Sequence, residues 1–149
     1  MKTTSRLFAL SMLLSITFSA KAQVVTSSRP YLFNSFSANI PASVNELDKA
    51  FAAIPGSSIQ FNFAGKFPFS GIVLSSVQKY SNLSSVIIKS SLLQNALLSI
   101  SKRINDDNTI TYVGRIINEK YADGYELKKD KTGNYSFTKI KTDDLIQDF

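Results

Sequence analysis

The sequence predicts an α+β protein, mainly antiparallel β, in which one N-terminal helix packs on a curled sheet or small open barrel of about six or seven strands. Two observations carry this prediction. Runs of alternating apolar and polar residues follow one another through short turns, and strands joined in that way are antiparallel. A single segment with helical spacing precedes these runs, and its apolar face needs a sheet to cover it.

The clearest strand pattern is a hairpin over residues 96–121. Two runs rich in β-branched residues flank the turn formers of 105–108. The alternation gives the two arms one common apolar face, formed by Leu98, Ile100, Ile104, Ile110, Tyr112, Gly114 and Ile116.

The first 22 residues are typical of a secretory signal peptide. Lys2 and Arg6 precede an apolar run over 7–18, and small residues follow up to Ala22. We therefore expect cleavage between Ala22 and Gln23 and a secreted or periplasmic protein. A membrane anchor is disfavoured because the run is too short for a bilayer core of about 30 Å. No transmembrane segment is expected after signal cleavage.

The predicted organisation is a signal peptide over 1–22, a leader segment over 23–40 and a single β-rich domain over 41–149. The 127 residues that remain after cleavage suit one domain with its own core. Cleavage leaves 14 basic residues against 11 acidic ones, so the formal net charge falls from +6 to +3. This excess is too small to indicate binding to nucleic acid.

The helix is predicted to begin after Ser43. Ser43 and Glu46 have the spacing of a capping box, in which each side chain bonds the other residue's main-chain amide. Pro55 and Gly56 end the segment after about eleven residues. Its apolar stripe consists of Val44, Leu47, Phe51 and Ile54.

Seven strands are predicted after the helix: 58–64, 67–80, 83–90, the two hairpin arms, 125–129 and 134–140. In the second strand Gly71 indicates a bulge or a bend. The dipeptide of Asp123 and Gly124 is expected at the tip of a turn, and Gly133 suits a left-handed position in the last hairpin loop.

The composition excludes many kinds of active site. The chain contains no Cys and no His. The usual general base, the usual zinc ligand and every His-containing triad are therefore missing. No cofactor is expected. The acidic clusters at 105–108, 130–134 and 143–144 lack a complete calcium loop, and we interpret the first two as turns and the third as a helix start.

Five residues are candidates for a binding surface on the sheet: Tyr112, Arg115, Tyr121, Tyr125 and Tyr135. Tyrosines beside basic residues are common in binding surfaces, although core and edge packing also explains tyrosines in strands. We expect a non-catalytic module that binds an unknown protein or an envelope polymer through a sheet face or an edge strand.

Two other functions remain open. A carboxylate-dependent hydrolase would be centred on Glu119, Asp123 or Glu126, since glycoside hydrolysis needs two facing carboxyl groups. A carrier of small hydrophobic ligands would require the curled sheet to leave a cavity.

The last 80 or so residues also carry a resemblance, through Val77-Gln78-Lys79-Tyr80, Gly114-Arg115-Ile116-Ile117 and Gly124-Tyr125-Glu126-Leu127. The run over 71–148 resembles small exported bacterial proteins of uncharacterised activity. The resemblance implies a periplasmic or secreted bacterial protein. It carries no motif of known activity and implies no site residue.

Overall fold

The computed structural model describes residues 29–64, 67–142 and 145. The signal peptide predicted over 1–22 and the helix start predicted at 143–144 lie outside this part of the chain. The described elements are β1 (Asn39–Ala42), α1 (Val44–Ala52), β2 (Ser58–Phe63), β3 (Phe67–Tyr80), β4 (Leu83–Ser90), β5 (Leu97–Ile104), β6 (Ile110–Ile117), β7 (Asp123–Lys129) and β8 (Tyr135–Lys141). Within the described residues, no helix has the length and apolar character needed to cross a membrane.

All eight strands belong to one antiparallel sheet with the order β1-β8-β7-β6-β5-β4-β3-β2. Strands β2 to β8 form a meander, and β1 adds beyond β8. The sheet curls until its two edge strands approach each other, and the amide of Ala64 donates to the carbonyl of Pro41 at 3.2 Å. The result is a nearly closed, barrel-like sheet.

The predicted class is confirmed, but the number of strands and the degree of closure are corrected. The described residues form eight strands instead of six or seven, and the sheet is nearly closed instead of open. The additional strand is β1, a four-residue segment that contains Pro41. The sequence around Pro41 predicts an entry into the helix and not a strand. A proline argues against a strand because it is tolerated only at a sheet edge or at the start of a strand.

Aromatic side chains fill the barrel interior. The predicted hairpin is confirmed as β5 and β6, and its register places Leu98 opposite Ile116. Neighbouring rings pack edge to face, as between Phe67 and Tyr125, whose centroids lie 5.4 Å apart. The buried rings are those of Phe33, Phe61, Phe63, Phe67, Phe69, Tyr112, Tyr125, Tyr135 and Phe137.

Helix α1 covers one end of the barrel. The predicted N-cap is confirmed, since Ser43 Oγ accepts from the amide of Glu46 at 3.3 Å. In a capping box the Glu46 carboxylate would accept from the amide of Ser43. Here it accepts from the amide of Asn62 in β2 at 2.8 Å. The helix has nine residues instead of eleven because the chain becomes extended at Ala53. Its buried face includes Leu47.

The stretch before β1 covers the opposite end. Phe33 is fully buried there. The Asp123 carboxylate accepts from the amides of Leu32 and Phe33 at 2.7 and 2.9 Å. The Lys139 ammonium donates to the carbonyls of Phe33 and Phe36, both at 2.8 Å. The described part of the predicted leader segment therefore packs on the barrel.

The turn tip predicted at Asp123 and Gly124 is wrong, and so is the bulge that was one of the two interpretations of Gly71. Asp123 and Gly124 do not form a turn tip but begin β7, and the connection from β6 lies before them at 118–122. Gly71 does not mark a bulge, because the irregularities of β3 lie between Val73 and Ser75 and between Gln78 and Tyr80. Gly71 instead permits close contact, since a Cβ there would lie 2.2 Å from the carbonyl oxygen of Lys89.

Candidate interaction surface

Three of the five candidate binding residues, Tyr112, Tyr125 and Tyr135, are buried inside the barrel. The Tyr112 hydroxyl donates to Asp48 at 2.7 Å, and the Tyr135 hydroxyl accepts from the amide of Tyr112 at 3.1 Å. The Tyr125 hydroxyl donates to the carbonyl of Ser37 at 2.7 Å. Burial and the nearby Asp123 charge raise the pKa of Tyr125 to about 12. These rings and hydroxyls are engaged within the fold.

The other two candidates lie elsewhere. Arg115 is on the outer face of β6, and its Nη2 lies 3.1 Å from Glu126 Oε1 on β7. Tyr121 is half-buried in the connection between β6 and β7. The structure therefore does not bring the five residues together on one surface.

A polar cluster joins α1 to the barrel. Asp48 Oδ1 accepts from Lys102 Nζ and from the Tyr112 hydroxyl, both at 2.7 Å. Burial acts to raise the pKa of Asp48, but the bonds from Lys102 and Tyr112 outweigh it and hold the pKa below its usual value. Burial and the Asp48 carboxylate raise the pKa of Tyr112, so the phenol remains a donor. This arrangement positions the helix.

The three carboxylates considered for hydrolysis do not face one another. Asp123 is buried and points toward the stretch before β1, where it accepts two main-chain bonds. Glu126, three residues later on β7, lies on the outer face beside Arg115. Glu119 is exposed in the preceding connection. A pair of carboxyl groups across a cleft, as glycoside hydrolysis requires, is not formed by these residues.

Two of the acidic clusters are turns, as predicted. Asp107 Oδ1 accepts from both the amide and the hydroxyl of Thr109, and Asp130 Oδ1 does the same with Thr132. Gly133 has the predicted left-handed conformation, with φ of +94°. Across the residues that the structure describes, no group of three or more His, Cys, Asp or Glu side chains is placed to hold a metal ion.

The outer face of β3 to β6 carries a set of exposed aliphatic side chains, which we call the outer patch: Leu74, Val77, Ile87, Leu97 and Val113. Their exposed fractions range from 37% to 58%. The strand pairing places them on neighbouring strands of one face. Single exposed apolar residues are common, whereas several on one face of neighbouring strands make that face a candidate interaction site.

Small serine side chains lie between the larger side chains of the outer patch, and its surface is therefore uneven. Ser85 and Ser101 face each other across β4 and β5, and their hydroxyl oxygens are 2.6 Å apart. Two depressions adjoin Val113, one of about 600 Å³ toward Tyr80 and one of about 470 Å³ toward Glu126.

The strands that carry the outer patch contribute only basic charges, and the acidic residues Glu119 and Glu126 lie at its margins. Strands β3, β4, β5 and β6 contain no acidic residue. Lys89 and Arg103 lie on their outer face, and neither forms an ion pair with any residue of the described chain. The sequence pattern missed this surface because alternation identifies two faces of a strand but not which neighbouring strands join them.

Relatives do not supply a function for this surface. Comparison of the chain with protein-family models, with curated proteins and with solved structures finds no match. The surface itself combines exposed aliphatic side chains with the basic residues Lys89 and Arg103.

Proposed function

We propose that this chain is a non-catalytic protein-binding module, exported through its N-terminal signal peptide and located in the periplasm or outside the cell. The outer patch is its contact surface. The observation that carries the proposal is the set of exposed aliphatic side chains on one face of β3 to β6, whose four strands contain basic residues and no acidic ones.

A protein partner fits this area better than an envelope polymer. Desolvated apolar side chains with an arginine nearby are typical of the centre of a protein interface. A hydrated polysaccharide offers little apolar surface to cover Leu97 or Val113, so its binding would gain little from their burial. The outer patch is aliphatic, and Tyr80 at its margin supplies an exposed ring.

The charges indicate what the partner carries around its apolar centre. Lys89 and Arg103 attract carboxylates and repel another copy of the same face, because two copies would bring like charges together. The expected partner is therefore a different protein whose contact surface has an apolar centre and acidic residues around it.

The two alternatives find less support in the described residues. The carboxylates proposed for a hydrolase lie on different faces of β7 or outside it. The space that a hydrophobic-ligand carrier would use is occupied by packed rings, such as the stacked pair of Phe61 and Phe63 at 5.0 Å.

The experiment compares three forms of the exported chain, residues 23–149, as bait for envelope and medium proteins of its host. Val113→Glu places a charge in the outer patch, and Asn45→Glu places the same charge on the exposed side of α1. Proteins retained by the wild type and Asn45→Glu but lost from Val113→Glu are purified, and their dissociation constants are measured.

We expect Val113→Glu to weaken the purified partner's affinity at least tenfold, or about 1.4 kcal/mol. Asn45→Glu should leave the affinity unchanged. Circular dichroism of both variants should match the wild type, because Val113 is 58% exposed. Equal affinities of a folded Val113→Glu and the wild type for every captured protein would refute the proposal.

A further inference from the structure

Strand β3 is longer than its neighbour β2, and this difference leaves a free sheet edge. β2 pairs with β3 only from Phe67 to Ile72, and Val73 is bonded to Gly56 and Ser57. β4 pairs with β3 as far as Tyr80. Residues 75–80, which we call the β3 edge, therefore have a strand on one side only. Main-chain groups of alternate residues point to opposite sides of a strand, so part of them point away from β4.

The corresponding edge of β2 is covered. The Glu46 carboxylate of α1 accepts from the amide of Asn62, and Ala64 bonds to Pro41 in β1. Proteins generally cover or blunt their sheet edges in this way because an open edge pairs with other chains. Within the described residues, no main-chain or side-chain group forms a hydrogen bond with the main chain of the β3 edge on the side that faces away from β4.

We propose that the β3 edge accepts an extended strand of the partner protein, which adds to the sheet as a ninth strand beside the outer patch. This inference rests on the proposed function and names the mode of binding. Strand addition supplies main-chain hydrogen bonds for affinity and side-chain contacts for specificity.

The two faces of the β3 edge define the chemistry of the added strand. Ser75 and Val77 pair with Ile87 and Ser85, so they share the outer face with the outer patch. Ser76 pairs with the buried Val86 and belongs to the inner face. The added strand therefore alternates apolar residues, which extend the outer patch, with polar residues on the inner side.

The positive charge of Lys79 favours an acidic strand from another protein over a second copy of this chain. Lys79 lies within the β3 edge and forms no ion pair with the described residues. Pairing of two identical edges would place two copies of Lys79 on one short ladder, which is unfavourable.

The test uses the peptide acetyl-Asp-Val-Thr-Val-Thr-Val-Asp-amide, which reads the same in both directions and so suits a parallel or an antiparallel addition. It is titrated to millimolar concentration into isotope-labelled protein comprising residues 23–149. We expect shifts and slower hydrogen exchange of amides within residues 74–80. The same peptide with its internal amides N-methylated should not bind, because it cannot form the ladder.

Two charge-reversal variants test whether the charge at Lys79 contributes to peptide binding or whether any change of net charge has the same effect. Lys79→Glu should weaken peptide binding at least threefold, while Lys131→Glu in the distant β7–β8 turn should not. No amide change at millimolar peptide, changes confined to β5 and β6, or equal binding of the N-methylated peptide would each refute strand addition.

The natural partner distinguishes failure of this inference from failure of the proposed function. If Val113→Glu loses the partner while Lys79→Glu keeps it and the partner leaves exchange at 75–80 unchanged, the outer patch is the site and strand addition is wrong. If the peptide protects 75–80 but Val113→Glu keeps full affinity for the partner, the outer patch proposal is wrong and the edge site stands.

Discussion

Asp48 on α1 and Tyr112 on β6 are joined by a 2.7 Å hydrogen bond between Oδ1 and the phenolic hydroxyl. The contact spans 64 residues of sequence and lies at the end of the barrel that the helix covers. Phe51, one helical turn later, places its ring 6.2 Å from that of Tyr112. The helix is thus held by a polar contact and a ring contact to the same strand residue.

Replacing Tyr112 by phenylalanine removes the hydroxyl and keeps the ring. We expect Tyr112→Phe to lower the free energy of unfolding by about 1 kcal/mol, the usual net value of one hydrogen bond. Urea denaturation followed by circular dichroism measures the change. Tyr80→Phe is the control, since Tyr80 is 69% exposed and its loss of a hydroxyl should matter by less than about 0.5 kcal/mol.

The same variant should change the dependence of stability on pH. The folded state holds the pKa of Asp48 below its ordinary value of 3.8, so the carboxylate contributes stability above that pH and loses it as the pH falls through the folded value. Tyr112→Phe removes one of the bonds that lower this pKa. The stability gap between wild type and variant should therefore narrow as the pH is lowered below about 4. A gap that stays constant across urea titrations from neutral pH to pH 3 would contradict this coupling.

Local features of the fold were predictable, and the closure was not. The Ser43 cap and the inward faces of Leu98 and Ile116 follow from side chains close in sequence or from simple alternation. Strand β1 pairs with β8, about 95 residues away, and the sequence contains no local sign of that pairing. The contact between Pro41 and Ala64 likewise depends on the curl of the whole sheet.

The candidate surface was predictable only in part. Alternation along β6 already separates Tyr112 from Arg115, since they differ by an odd number of positions. Each residue of the outer patch, such as Leu97 or Val113, is by itself an ordinary apolar residue of a strand. Only the register of the four strands places these residues on one surface. The free β3 edge depends on the different lengths of β2 and β3, which sequence patterns define poorly.

The Asp123 carboxylate is expected to be a major support of the stretch before β1. Both of its oxygens accept main-chain amides, from Leu32 and Phe33, and the residue is 1% exposed. Asparagine has a single acceptor oxygen, so Asp123→Asn leaves the amide of either Leu32 or Phe33 without its acceptor. We predict a loss of about 2 kcal/mol or more in the free energy of unfolding.

Glu119→Gln is the matched control for that variant. Glu119 is exposed, and the same change of carboxylate to amide should alter stability by less than about 0.5 kcal/mol. Hydrogen exchange should also show faster opening at the amide of Phe33 in Asp123→Asn. Wild-type stability and unchanged exchange in this variant would show that the two bonds do not hold the segment.

The basic residues beside the outer patch should mainly govern how fast the partner associates. Lys89→Gln combined with Arg103→Gln removes two charges that have no counter-charge among the described residues. We predict a three- to tenfold lower association rate and a weaker dependence of that rate on salt, because steering by charge is screened by ions. Surface plasmon resonance at low and physiological ionic strength measures both. The double change Lys131→Gln and Lys141→Gln removes equal charge far from the outer patch and should leave the rate unchanged.

Gly71 should be one of the positions least tolerant of a methyl group, although its backbone conformation does not require glycine. A Cβ there would lie 2.2 Å from the carbonyl oxygen and 2.7 Å from the carbonyl carbon of Lys89. These are main-chain atoms of the paired strand β4, so they cannot move without separating β3 from β4. We predict that Gly71→Ala lowers the free energy of unfolding by at least about 2 kcal/mol. Gln60 is an exposed residue of β2 and pairs with Ser70 of β3. Gln60→Ala should lower the free energy of unfolding by less than about 0.5 kcal/mol. If Gly71→Ala and Gln60→Ala unfold at the same urea concentration, the close approach of β3 and β4 at this register is wrong.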